Sequence, residues 1–235
     1  MECKFSGGNK LENKDIADSI GKTILECNSD VLMDIAELSI DEILADSVLK
    51  EIPFIKTVYS LVKTGLAIRD KHMAKKTLIF IQKLLTNDIE EKAYEEYREK
   101  LNNKDPETYK QLEYITIILD KLIETEKSKV FANLYTAFVN KKITTSEFQN
   151  LSTVLNNFLL FDLTNLKLLY EQDRKLENME DKYGSANRLI SQGLAYQLSG
   201  FSRSPLSGNI SFNPPQNDIS LTEFGRMFYK YGFLE

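Results

Sequence analysis

The sequence is poorest in the residues that carry most catalytic and metal chemistry. One histidine, His72, stands in 235 residues, which excludes His-rich metal sites and leaves most histidine-dependent acid–base schemes without a base. The two cysteines, Cys3 and Cys27, form no C-x-x-C pair and cannot build a disulfide framework, so they read as thiols of a reducing compartment. Long apolar runs are missing as well. The least charged hydrophobic segment, Thr57 to Val62, is closed by lysines on both sides. It is far shorter than the ~18–20 apolar residues that span a bilayer. The opening MECKFSGGNKLENKD has no secretory-type hydrophobic stretch. The expected location is therefore the cytoplasm, with at most peripheral contact at the inner face of the cell membrane. Phosphate-loop, dinucleotide, zincin and nucleophile-elbow motifs do not occur, so no catalytic residues, metal or cofactor are expected and the chain reads as non-enzymatic.

What is present is an ordinary globular composition. With 42% hydrophobic and 28% charged residues and a net charge of -5, wholesale disorder is excluded, and the length suits one large domain or two small ones. Glycine and proline positions divide the chain. Between Gly65 and Gly184 there is no glycine and only Pro106, whereas six glycines and three prolines follow from Gly184 onward. A breaker-free stretch before a breaker-rich tail predicts a helical body and a mixed C-terminal piece.

Apolar spacing fills in the body. Ile16, Ile20 and Ile24 predict a first helix after a loose start of ten residues. Leu32, Ile35 and Leu38, then Ile43, Leu44 and Leu49, predict a second; Pro53 opens a third, and Met73 to Leu84 carry the stripe of a fourth. Asp88 to Leu101 is charged on nearly all sides and reads as a solvated helix. Asp105-Pro106-Glu107 is a helix start, Phe131 to Phe138 make a further stripe, and Thr144 with Glu147 matches a capping box. Asp162 is placed to cap the helix that follows it. The expected fold is mainly α, a helical bundle with a small C-terminal winged-helix-like α+β piece containing one β-hairpin. In that tail Ser185 to Gln197 is a short helix, Ser199 to Asn213 the hairpin, and Ser220 to Glu223 a second capping box before a last helix. The expected division is a flexible N-terminus over 1–10, an N-terminal helical region over 11–126, and a helical and winged-helix-like region over 127–235.

Charge is segregated along the first third. Residues 11–49 hold ten acids and two lysines, a balance of −8, and residues 50–83 hold eight basic residues and two acids, a balance of +6. On a helical wheel of about 100° per residue, Phe54, Val58, Leu61, Gly65 and Ile68 share one side, while Lys56 and Lys63 share the other. Arg69 breaks the pattern. Such a helix either packs its apolar face into a core or lies on an anionic membrane surface or a protein partner. The candidate membrane- or partner-binding residues are therefore Phe54, Lys56, Val58, Leu61, Lys63, Ile68 and Arg69. The sign change suggests a device in which the acidic helices mask the basic one until a trigger arrives.

Other candidates weigh less. His72 lies among cations, without a partner pattern, and reads as a surface histidine. Glu90, Glu91, Glu95 and Glu96 read as a solvated face. A winged-helix tail invites a DNA-binding reading, with Asn187, Arg188 and Gln192 facing bases and Arg203 on the wing. Five basic residues against three acids from Lys182 to the end are few for phosphate neutralisation, so DNA is the alternative. A protein partner is expected, and self-association is compatible with the composition.

The run from Leu189 through Gly193-Leu194 to Leu221-Thr222-Glu223-Phe224-Gly225-Arg226-Met227-Phe228 is similar to the end of abortive-infection alpha-type proteins of bacterial antiphage defence. The resemblance covers about 40 residues of the tail. It carries over no catalytic residue. It implies a bacterial host–phage conflict setting, with the chain as a sensor, effector or interaction component.

Overall fold

A computed structural model describes residues 13–27, 35, 37–62, 68–172, 182–197, 201–203, 210–212 and 219–234. These form eleven α-helices and four short strands among the described residues, and the chain divides into two compact units, Met1–Ser152 and Thr153–Glu235. The mainly helical architecture with a C-terminal hairpin matches the fold expected from the sequence. None of the described helices is long and apolar enough to cross a membrane.

In the first unit, α1 (Asn13–Glu26) packs against α3 (Pro53–Val62) and α6 (Pro106–Lys121), while α4 (Ile68–Thr86) packs against α7 (Lys127–Val139). The Ile16, Ile20 and Ile24 stripe is buried, as its spacing of four requires. Gly21 lets α1 approach α6 closely: a Cβ there would lie 3.2 Å from Leu112 Cδ1. Aromatic rings fill the centre. Phe131 stacks on Phe148 at 5.7 Å, and Phe80 lies 5.4 Å from Phe131 and 5.9 Å from Tyr135. Helix α5 (Glu91–Asn102) corrects the expectation of a fully solvated helix, because Tyr97 and Leu101 are buried on one side.

Local chemistry sets the ends. Asp105 accepts from the Thr108 N–H at 2.9 Å with Pro106 at the first helical position, and Thr144 and Glu147 make the reciprocal box that opens α8 (Thr145–Asn157). At the end of α6, the buried Lys76 ammonium donates to the carbonyls of Leu122 at 2.5 Å and Asp120 at 3.3 Å. It places a cation where the helix leaves its last carbonyls unmatched. The second expected helix is shorter than its apolar spacing suggests. It is described as α2 (Ile40–Ala45), and the Asp46 side chain then takes the Val48 and Leu49 N–H groups, closing a turn before the 3-10 segment Leu49–Glu51. Leu32 lies outside the described residues.

The second unit holds the end of α8, a 3-10 turn at Leu160–Asp162, α9 (Leu163–Gln172), α10 (Lys182–Ser191), α11 (Glu223–Phe233) and the strands. Strands β2 (Phe201–Arg203) and β3 (Ile210–Phe212) pair antiparallel with Phe201 opposite Phe212, where the hairpin was expected. Strands β1 (Ala195–Gln197) and β4 (Ile219–Leu221) also pair antiparallel, with Ala195 opposite Leu221. Helix α10 therefore ends sooner than its predicted span. Gly193 sits at φ +73, Leu194 N–H returns to Leu189 O at 2.9 Å, and the chain turns into β1. The predicted Ser220 capping box is also corrected. Ser220 belongs to β4, and the cap of α11 is Thr222, whose hydroxyl accepts from Gly225 N–H at 2.9 Å and donates to Gly193 O at 2.7 Å.

Candidate functional site

Packing accounts for the described side chains on the apolar face of the basic amphipathic helix. Phe54 and Val58 are buried, at 1% and 3% exposure, on the face that α3 turns towards α1. The Phe54 N–H donates to Thr23 Oγ1 at 3.0 Å, tying the start of α3 to α1. Lys56 is on the outside and pairs with Glu51 at 2.8 Å, an acid of its own basic stretch rather than of the acidic helices. Leu61 and Ile68 belong to α3 and α4 and Arg69 to α4, and Lys63 and the side chains of Leu61, Ile68 and Arg69 lie outside the described residues. A salt bridge also joins the acidic and basic regions: Lys71 of α4 reaches Asp41 of α2 at 2.7 Å. As folded, Phe54 and Val58 are core residues and present no surface to a bilayer.

The DNA candidates resolve differently. Arg188 is not free to read a base edge. Its Nε and Nη2 both donate to the Asp162 carboxylate at 2.7 Å, a two-pronged pair that joins α10 to the 3-10 turn ahead of α9. Asp162 is 1% exposed at its side chain, so the arginine is committed to a buried anion. This corrects two sequence readings together, because Asp162 was expected to cap a helix and Arg188 to face a nucleic acid. Gln192 donates to Asn157 O at 3.2 Å, Asn187 is exposed, and the Arg203 side chain lies outside the described residues.

The pair has a surface consequence. Asp162 points inward, and its predecessor Phe161 points outward at 60% exposure, with Leu159, two residues earlier, at 43%. The Arg188 guanidinium lies 6.0 Å from the Phe161 ring centre, within cation–π range. An aromatic ring next to a clamped turn costs little entropy to immobilise on binding, which is the property of an interface anchor.

The first unit carries a cleft of about 590 Å³ between α5, the start of α6 and the turn joining α7 to α8. Its floor includes Tyr97, Phe138, Val139 and Ile143, and its rim includes Lys100, Glu107 and Lys141. Burial pushes the hydroxyls of Tyr97 and Tyr135 well above the ordinary tyrosine range, so both are neutral, and Tyr135 donates to Tyr97 at 2.9 Å. Glu96 is held below the usual carboxylate range by its 2.6 Å bond to Lys141. Periodicity marked neither Tyr97 nor the cleft; the tyrosine's spacing from Leu101 was the available signal.

His72 is exposed, with Nε2 3.1 Å from Ile123 O, and burial raises the Cys27 thiol above its ordinary value. Among the described residues no group of three His, Cys, Asp or Glu side chains is placed to hold a metal ion. No family model, curated protein or solved structure matches the chain.

Proposed function

We propose that this chain is a non-enzymatic binding or effector protein of bacterial phage defence, working through contacts with a protein partner made by the Phe161 turn. The observation that carries the reading is Phe161 itself, a large ring left mostly in solvent beside a carboxylate–guanidinium clamp. A partner suited to it offers an apolar socket wide enough for one aromatic ring. The defence setting is supported by the resemblance of the tail from Leu189 to Phe228.

A membrane route is the second reading, favoured by the Lys71–Asp41 link between basic and acidic helices. It requires α1 to leave α3 and expose Phe54 and Val58. A large apolar burial opposes that opening, so protein contact ranks first.

Plating a panel of phages on cells with and without the full chain tests the proposal. Reduced plaque formation supports it, and unchanged plating on the whole panel counts against it. Flotation of the purified chain with anionic liposomes separates the routes: recovery in the lipid layer favours the membrane reading, and recovery with the protein fraction favours the first.

A further inference from the structure

The cleft of the first unit has a charge arrangement that the proposed partner contact does not use. On its α5 and α7 side stand Lys100 and Lys141, with Glu96 between them, whereas the α6 side carries Asp105 and Glu107. Two of these acids are already engaged. Glu96 is bound to Lys141, and Asp105 accepts from the Thr108 N–H and hydroxyl at 2.9 and 2.8 Å. Lys100 lowers the carboxyls of both Glu96 and Asp105 through space, yet among the described residues it forms no salt bridge with either. The open ions are thus one cation, Lys100, and one anion, Glu107.

Beneath them the wall is apolar. Val139 and Ile143 are buried, and the Phe138 ring is held in place by stacking on Phe148 at 5.3 Å. Tyr97 adds to this wall: it is 7% exposed, and its hydroxyl is tied to the buried Tyr135 hydroxyl at 2.9 Å, which fixes the ring that lines the cleft. A volume of about 590 Å³ lies within the ~300–1,000 Å³ of small-molecule sites.

We propose that this cleft binds a zwitterion with an apolar body, the chemistry of a short free peptide. Its carboxylate meets Lys100, its ammonium meets Glu107, and its side chains lie on Tyr97, Phe138, Val139 and Ile143. A simple anion meets two acids on the α6 wall, and a simple cation meets the lysines opposite, so a single charge of either sign is poorly matched.

Calorimetric titration of the full chain with free dileucine, and with the same dipeptide acetylated and amidated, tests this. The free dipeptide is expected to bind and the doubly blocked one to bind at least about tenfold more weakly, as loss of two charge contacts requires. Lys100→Gln and Glu107→Gln, both exposed positions where folding is little affected, each weaken free dileucine. The amide-only peptide loses no further affinity on Lys100→Gln, nor the acetyl-only peptide on Glu107→Gln. Equal binding of free and blocked peptides, affinity unchanged in both variants, or no binding at millimolar dileucine overturns the proposal.

Discussion

Arg188 and Asp162, 26 positions apart, form a two-pronged ion pair in the second unit: two 2.7 Å bonds from one guanidinium to one buried carboxylate. The pair explains why an arginine on a short helix faces inward and why the turn before α9 holds its neighbours Phe161 and Leu159 in solvent.

Removing one partner leaves an uncompensated buried charge, so Arg188→Met is expected to destabilise the protein by about 3 kcal/mol. Arg188→Met combined with Asp162→Leu recovers most of that loss, since the stranded carboxylate is gone. Urea unfolding of the wild type, both single variants and the double variant measures the coupling. Additive losses would remove the clamp from the account.

Gly225 marks a place where α11 meets the turn between α10 and β1 with no room for a side chain. A Cβ there would stand 1.9 Å from the Leu194 carbonyl oxygen, a backbone atom that cannot swing aside. Gly225→Ala is expected to cost at least about 2 kcal/mol, the cost of overpacking against a fixed neighbour. Gly193→Ala costs about 1–2 kcal/mol, because only its positive φ is strained and its surroundings are open. Thermal melts of the two variants should rank them in that order.

If α3 is core, Phe54→Ala opens a cavity and lowers stability by about 3–5 kcal/mol. Lys56→Ala changes it by less than about 1 kcal/mol, because its pair with Glu51 is solvent-exposed. Denaturation midpoints of the two variants decide the matter; a silent Phe54→Ala would return that ring to the surface.

Acid should loosen the first unit. Asp18 is lowered chiefly by its hydrogen bond with Lys22, Glu96 by Lys141, Asp105 by Thr108 and Glu147 by Thr144. Each folded value lies below the unfolded one, so the unfolded chain takes up protons first and stability falls with pH. The contribution is complete above the ordinary carboxylate values of 3.8 and 4.5 and is lost as pH drops through and below them. A series of melting temperatures from pH 6 to 3 should decline below about pH 4.5, with a flatter decline for Glu147→Gln, whose amide can still close the box.

Much of this fold was legible in the sequence because its signals are local. Pro106 after Asp105, the Thr144–Glu147 box and the isoleucines of α1 each act within a turn or two, and the structure uses them as their spacing indicates. The departures come from partners far along the chain. Asp162 has the sequence context of a cap, but Arg188 draws it into the interior, and Ser220 resembles a cap until pairing with Tyr196 places it in a strand. The candidate sites were hidden for the same reason. Amphipathicity gives α3 an apolar face, but whether that face meets lipid or α1 depends on helices brought together only in the folded unit.

The most direct test of the central claim is phage plating on cells producing the full chain, the Phe161→Ser variant or the Arg188→Met/Asp162→Leu double variant, each verified as folded by circular dichroism. The account predicts that Phe161→Ser abolishes protection at unchanged melting temperature, and that the double variant keeps its fold but protects less because the turn is no longer clamped. Full protection by Phe161→Ser would contradict it.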